Sequence, residues 1–244
     1  MESVRRAQLY DLRTRYIVED LPPFVTLISQ AATVLEVGCG TGRILGYLTR
    51  QLPEKQWLGI DLDQDKIDVA RQRLGNEHAN VNLIQGDFLS YEDFPPVDAV
   101  LFGFNVLAEF LGVSTRIAAL RKARTCLAPG GQVIVACYAH DFADWGLRNK
   151  QHASRIWDDQ LGQWDVTIDC VRDLPRQSSV CSVTYTGESE TIHDVYEVAL
   201  LTRNELLAIY EAAGLVLTQE YGDYHFGPLT DESQVWLHVL TARA

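Results

Sequence analysis

Short, nearly continuous apolar runs at residues 34–37, 58–61, 81–84, 97–102 and 132–135 are separated by longer segments in which apolar residues recur every three to four positions. The short runs have the pattern of strands buried on both faces, and the segments 43–51, 63–74 and 113–126 have the period of helices with one apolar face. Strands alternating with helices from residue 34 to 138 predict a parallel, doubly wound α/β sheet. Asp63 opens its helical segment, where an N-cap belongs. Residues 1–30 read as two helices, the second over 23–30, divided by the Leu21-Pro22-Pro23 break.

The rhythm changes after residue 140. Segments 163–172, 178–186 and 193–201 mix Val, Thr, Tyr and Ile with polar residues, and Thr186-Gly187-Glu188-Ser189 is a turn signal. They predict a three-stranded antiparallel insertion. Thr202 and Glu205 then form a capping box, Leu206, Leu207, Ile209, Tyr210 and Ala213 continue a helix, and Gly214 closes it. Strands are expected at 215–221 and 234–242. The chain thus divides into an N-terminal helical region (1–30), a core (31–140 and 202–244) and an insertion (141–201).

At 244 residues and 47% apolar, the chain suits one large α/β domain with an insertion, or two small domains. No apolar run reaches about 18 residues, the span a membrane helix needs. The N-terminal segment is amphipathic rather than a signal-peptide core, so a cytoplasmic location and no membrane partner are the default expectations. With 21 basic and 33 acidic residues the net charge is −12, which repels polyphosphate and disfavours nucleic acid as a partner. Arg116, Arg121, Lys122 and Arg124 fall at helical spacing and read as a solvated helix face. Cys39, Cys126, Cys137, Cys170 and Cys181 include no Cys-x-x-Cys pair, so neither zinc nor redox chemistry is indicated. Cys39 fits as a small turn residue, and the others as small core residues.

The chemistry concentrates where the first apolar run meets Glu36-Val37-Gly38-Cys39-Gly40-Thr41-Gly42-Arg43. A glycine-rich turn between strand and helix lets a ligand approach the backbone, with the helix N-terminus facing it. The dinucleotide fingerprint Gly-x-Gly-x-x-Gly fails here, because Arg43 holds its third glycine position. Glu36 would repel a phosphate but suits a cationic ligand.

In this run the chain resembles the class I S-adenosylmethionine-dependent methyltransferases, whose first motif is an apolar run followed by E/D-x-G-x-G-x-G. The resemblance continues in order through Leu58-Gly59-Ile60-Asp61, Gln85-Gly86-Asp87-Phe88, Val97–Phe102 with Gly103-Phe104-Asn105, and Leu127-Ala128-Pro129-Gly130-Gly131. It implies a seven-stranded sheet ending in a reversed hairpin, with an N-terminal helical lid and an antiparallel insertion on the substrate side. It also implies S-adenosylmethionine as cofactor and S-adenosylhomocysteine as product. The cofactor would lie on Glu36, Gly38, Cys39, Gly40 and Gly42. Asp61 and Leu62 would meet the ribose, Asp87 and Phe88 the adenine, and Phe104 and Asn105 the region of the methyl group. Arg15 and Tyr16 would reach it from the lid. Isolated strand-end aspartates also serve as caps or turn residues, so Asp61 and Asp87 draw their meaning from the series.

The layout further resembles N-methyltransferases of small amines, sugars and peptides, which points to a small-molecule or short-peptide acceptor. Tyr10, Tyr138, Trp145 and Tyr224 are candidates for its pocket, with Asp141 a weaker one. Tyr10 and Tyr16 serve equally as amphipathic core contacts. An amine acceptor needs no dedicated base, whereas a hydroxyl acceptor would use a histidine: His140, His193 or His225. Asn105 is a further candidate for fixing the acceptor. The spaced Asp, Asp and Asn of metal-dependent relatives are missing, so transfer without metal is expected. No Asn- or Asp-Pro-Pro-Tyr follows the fourth strand, unlike enzymes that methylate nucleobase amines. Two other readings remain: a nicotinamide-dependent oxidoreductase, and a cofactor-binding regulator without transfer activity. The insertion, alternatively, forms a homodimer face.

Overall fold

The computed structural model describes residues 2–75, 80–139 and 149–243. Helices α1 (Glu2–Thr14) and α2 (Leu21–Leu27) lead into β1 (Thr33–Val37), α3 (Arg43–Gln51), β2 (Gln56–Asp61), α4 (Gln64–Leu74) and β3 (Val81–Gln85). There follow β4 (Val97–Phe102), the short α5 (Val106–Glu109), α6 (Val113–Cys126) and β5 (Leu127–Tyr138). Four strands, β6 (Asn149–Asp158), β7 (Gly162–Asp173), β8 (Ser178–Thr186) and β9 (Thr191–Ala199), precede α7 (Arg203–Ala213), β10 (Leu215–Tyr221) and β11 (Val235–Ala242).

Local chemistry sets the helix ends. Asp63 accepts from the backbone N–H groups of Asp65 and Lys66 and caps α4. Thr202 accepts from the Glu205 N–H at the start of α7, and Gly214 ends that helix in the left-handed conformation. The second half of the expected capping box is replaced, because the Glu205 carboxylate turns to Arg116 at 2.5 Å. The prolines near residue 22 are not a break. They lie in the first turn of α2, where a missing N–H costs no helix bond.

The seven-stranded sheet runs β10-β11-β5-β4-β1-β2-β3. Its parallel strands flank β1, where Leu35 pairs with Leu58 on one side and Val100 on the other. β11 inserts antiparallel between β5 and β10, the reversed hairpin of the expected fold. One face buries Leu35, Val37, Phe102 and Val133 under α6 and α7, and the other buries Val34, Leu101 and Ile134 with Phe24, Ile44 and Leu45. Strand order reverses between β1 and β4, so the crevice beyond their carboxyl ends is where such a sheet binds ligands.

The insertion has four strands, one more than the sequence pattern predicts. β6 is strongly polar and becomes a strand by pairing residue for residue with β7, from Asn149 opposite Val171 to Asp158 opposite Gly162. The inner face of this sheet packs Trp164, Val166, Val183, Tyr185 and Ile192 onto Leu9 of α1. Cys170 and Cys181 are not separate small core residues. They face each other across β7 and β8 and are joined as a disulfide. Arg116 also departs from expectation: it is buried, not solvated, and pairs with Glu205. Arg121 donates to the Ala212 carbonyl. No helix among the described residues is long and apolar enough to cross a membrane.

One buried polar chain ties the reversed hairpin to α7. His238 of β11 is 0% exposed. Its Nδ1 lies 2.9 Å from the Tyr210 hydroxyl and its Nε2 3.1 Å from Glu220 Oε1, while Arg203 holds both Glu220 oxygens. The imidazole thus sits between the Tyr210 hydroxyl, in hydrogen-bond contact with Nδ1, and the Glu220 carboxylate, in ion-pair contact with Nε2. Burial pushes the imidazole down to about 4, against the pull of Glu220. The unfolded chain therefore binds a proton that the native state refuses between about pH 6.5 and 4, and stability falls with acid through that window. Denaturant titration should find the protein about 2 kcal/mol less stable at about pH 5 than at about pH 7. His238→Gln should remove most of that difference. An unchanged pH slope in the variant would assign the effect to other groups.

Candidate functional site

β1 delivers the chain into a turn in which Gly38, Gly40 and Gly42 have φ of 67°, 53° and 72°. A Cβ on Gly38 would lie 2.7 Å from Val106 Cγ1, so the turn passes close beneath α5 only because that atom is missing. Asp61, at the end of β2, fastens the turn. Its Oδ2 accepts from the Gly40 N–H at 2.8 Å and its Oδ1 from the Asp63 N–H at 2.9 Å. Each carboxylate oxygen keeps a further lone pair for a ligand hydroxyl. The Tyr10 ring of α1 comes down on Gly40 and narrows the space over the turn to about 50 Å³, bordered also by Glu36, Arg43, Lys66 and Glu109. The Lys66 ammonium lies 4.4 Å from the centre of the Tyr10 ring.

The turn continues into a cavity of about 550 Å³ that shares Gly38, Asp61, Lys66 and Glu109 and extends over Leu62, Asp87 and Phe88. Leu62 is 68% exposed, an apolar side chain held open at the mouth. Phe88 is anchored by rings of Phe94, Phe102 and Phe110 with centroids 5.8, 5.9 and 6.4 Å away. Asp87 accepts from the Leu89 N–H and keeps its carboxylate at the rim.

On the other side of the turn, Arg43 reaches back toward the N-terminal segment. It donates to both oxygens of Asp20 at 2.7 and 2.6 Å, donates to the Ile17 carbonyl at 2.6 Å, and lies 4.5 Å from the centre of the Phe104 ring. Phe104 and Asn105 follow β4 with φ of 48° and 67°, an uncommon conformation for residues other than glycine. Asn105 holds this bend: its N–H donates to the Ala136 carbonyl and its Oδ1 accepts from the Tyr138 N–H. Beyond Phe104 opens a third cavity, of about 580 Å³, lined by Glu19, Asp20, Tyr138, Asp223, Tyr224, His225 and Glu232 among others. Phe104 borders both this cavity and the space over the turn.

The fold therefore gathers Glu36, Gly38, Cys39, Gly40, Asp61, Leu62, Asp87, Phe88 and Phe104 around one crevice, with Tyr10 over it and Tyr138, Tyr224 and His225 in the adjoining cavity. Gly42 caps α3. Arg15 and Tyr16 are not brought there. Arg15 turns outward to Asp11 and Asp158, because those carboxylates lie on the far side of α1, and Tyr16 is 70% exposed. His193 lies exposed in the insertion, bonded to Thr184. His140, Asp141 and Trp145 fall outside the described residues. Arg43, Lys66 and Glu109 border the crevice and Asp20 the adjoining cavity, and none of them was expected as a site residue. The one available signal was an arginine where a dinucleotide site needs glycine. Among the described residues no group of three or more His, Cys, Asp or Glu is arranged to hold a metal.

Residues 34–131 match the model of a methyltransferase domain. The chain is 30% identical over 132 residues to ribosomal protein L11 methyltransferase of Clostridium botulinum, covering 54% of this chain and 38% of that protein. It is 27% identical over 154 residues to dTDP-3-amino-3,4,6-trideoxy-α-D-glucopyranose N,N-dimethyltransferase of Streptomyces venezuelae, covering 59% and 62%. The chain thus spans less than two thirds of the length of these curated relatives. Among solved structures, the CcbJ methyltransferase of Streptomyces caelestis superposes with a TM-score of 0.80 at 22% identity, over 92% of this chain and 94% of that one. Residues 34–131 thus match a methyltransferase domain, and the sheet order with its reversed hairpin and the glycine turn at the switch point give the chain the fold of the class I S-adenosylmethionine-dependent methyltransferases that it resembles.

Proposed function

We propose that this chain transfers a methyl group from S-adenosylmethionine to an amine nitrogen of a small molecule or short peptide, without a metal. The observation that carries this reading is the cavity behind Phe104. It adjoins the glycine turn, has the size of a small-molecule site at about 580 Å³, and includes Glu19, Asp20, Asp223 and Glu232 but, among the described residues, no lysine or arginine in its lining. Asp20 is taken up by Arg43, which leaves three carboxylates for a ligand. The Asp223 carboxyl is held below the usual carboxylate range by the N–H groups of Gly227 and His225, so it is ionised at neutral pH. Carboxylates beside the rings of Tyr138 and Tyr224 attract a cation and accommodate its apolar body. The Streptomyces venezuelae relative is named for N-methylation of an amino sugar, in line with this chemistry.

The residues of the crevice fit the cofactor. Glu36 offers a buried, unpartnered Oε2 for a cationic group, Asp61 spare lone pairs for ribose hydroxyls, and Leu62 and Phe88 apolar surface for a base. S-adenosylmethionine supplies, when bound, a methyl group on a sulfonium, an intrinsically good leaving group. The protein's contribution is then alignment and exclusion of water: Tyr10 covers the turn, and Phe104 separates the two compartments. An amine attacks with its lone pair, so a cationic acceptor must first lose a proton, and His225 lines the cavity where that proton would be taken. A hydroxyl acceptor would use the same histidine, and this is the competing reading.

Thermal unfolding should rise with S-adenosylmethionine and S-adenosylhomocysteine but not with NADH. A ligand at 100 times its Kd adds about 2.7 kcal/mol. A shift with NADH alone would remove the assignment. Asp61→Ala should weaken S-adenosylhomocysteine at least tenfold by calorimetry, about 1.4 kcal/mol. Unchanged affinity would take the ribose contact away from Asp61. Mass spectrometry of a mixed acceptor panel should find methylated amines. Products confined to phenols and alcohols would favour the competing reading.

A further inference from the structure

β1 is buried on both faces, and Glu36, 3% exposed, interrupts its apolar run. Side chains alternate along a strand, so Glu36 shares the face of Val34, which packs against α2 and α3. An ionised carboxylate is costly there unless paired and hydrogen-bonded. Glu36 takes a backbone hydrogen bond from Leu45, in the first turn of α3, but its Oε2 has no hydrogen-bond partner. The nearest cation, Arg43, is already held by both oxygens of Asp20 and the Ile17 carbonyl.

The other groups facing this cavity do not balance the charge. α1 brings Tyr10, whose hydroxyl burial pushes far up, and the turn brings Cys39, a thiol likewise pushed up. β2 brings Asp61 and α5 brings Glu109, two further carboxylates, and Asp20, from the segment before α2, adds its charge from outside the lining. Against them stand Arg43 and Lys66. Desolvation raises the Glu36 carboxyl well above the ordinary carboxylate range, and Arg43 opposes this only in part.

We propose that Glu36 is protonated in the cofactor-free protein and that binding of the cofactor's ammonium end releases that proton to solvent. The O–H bond breaks, its electron pair stays on the carboxylate, the proton passes to buffer, and the carboxylate oxygen becomes an acceptor for the incoming N–H. The proposal rests on the cofactor reading above. Its consequence is that affinity rises with pH, by up to tenfold per unit where one proton is released.

Calorimetry of the intact protein at about pH 7, in buffers of different ionisation enthalpy, reads the released proton directly. S-adenosylhomocysteine should release close to one proton. 5′-Methylthioadenosine, which has the adenosine and sulfur but no ammonium, should bind with none. Glu36→Gln, checked for folding by thermal unfolding, should bind S-adenosylhomocysteine without release. Tight binding with no buffer dependence overturns the proposal, as does equal release by both ligands or release that persists in Glu36→Gln. Failure of both ligands to bind the wild type removes the cofactor reading itself, an outcome distinct from binding without proton exchange. The ligand comparison needs no variant, so the proposal stays falsifiable even where Glu36→Gln does not fold.

Discussion

The bidentate pair between Arg43 and Asp20 is almost entirely out of water, with side chains 7% and 1% exposed. Taking both ions from solvent costs several kcal/mol each, and their attraction offsets this only where the geometry is good and the remaining polar atoms are met. Here the fork matches the carboxylate, the Ile17 carbonyl takes a further bond, and the Phe104 ring covers the guanidinium. Three pieces of chain far apart in sequence are thereby held together: the link between α1 and α2, the first turn of α3, and the bend after β4. Each borders a compartment of the site. The pair also explains why Glu36 is left without a cation, since the arginine that shares its cavity is engaged elsewhere.

A second consequence of that link is the position of α1. With residues 17–20 pinned to α3, the helix before them lies across the crevice, and its own apolar side needs cover. The four-stranded insertion supplies it, with Leu9 seated among Trp164, Val166, Val183 and Tyr185. Arg13 donates to the Tyr185 hydroxyl and so ties α1 to the same sheet. On the opposite side Asp11 pairs with Arg73 of α4. Helix and insertion, separated by more than a hundred residues, form one layer over the glycine turn. Tyr10 projects from that layer over Gly40 of the turn.

Elements whose limits are set by their own residues were legible in the sequence. α3 and α6 have the bounds their periodicity gives, α4 begins after its Asp63 cap, and α7 lies between Thr202 and Gly214. The parallel strands were legible because burial on both faces leaves an apolar run. What depends on a distant partner was not. β6 has no apolar rhythm, and only its register with β7 makes it a strand. The disulfide needs Cys170 and Cys181 to face each other across that sheet, a matter of pairing and not of spacing. Arg116 sits in a run of basic residues that looks solvated until Glu205 arrives from α7. In the site, glycines and strand-end carboxylates have positions defined by the chain around them. Asp20, by contrast, takes its meaning from an arginine 23 residues later.

The bend at Phe104 and Asn105 is the point at which these constraints meet. Non-glycine residues at positive φ cost on the order of 1–3 kcal/mol each, and they persist where the surroundings over-determine them. The surroundings do so here: Asn105 is bonded through its backbone and its side chain to the end of β5, and the Phe104 ring is caught between the Arg43 guanidinium and Tyr138, whose centroid is 6.1 Å away. A relaxed, extended path after β4 would carry the ring out of the boundary between the two compartments. The strain is thus the cost of keeping an apolar wall next to the glycine turn. Group transfer in such a site depends on which atoms can approach each other and which are kept apart. In this chain the ring at that boundary stands on a strained bend, held by a buried ion pair.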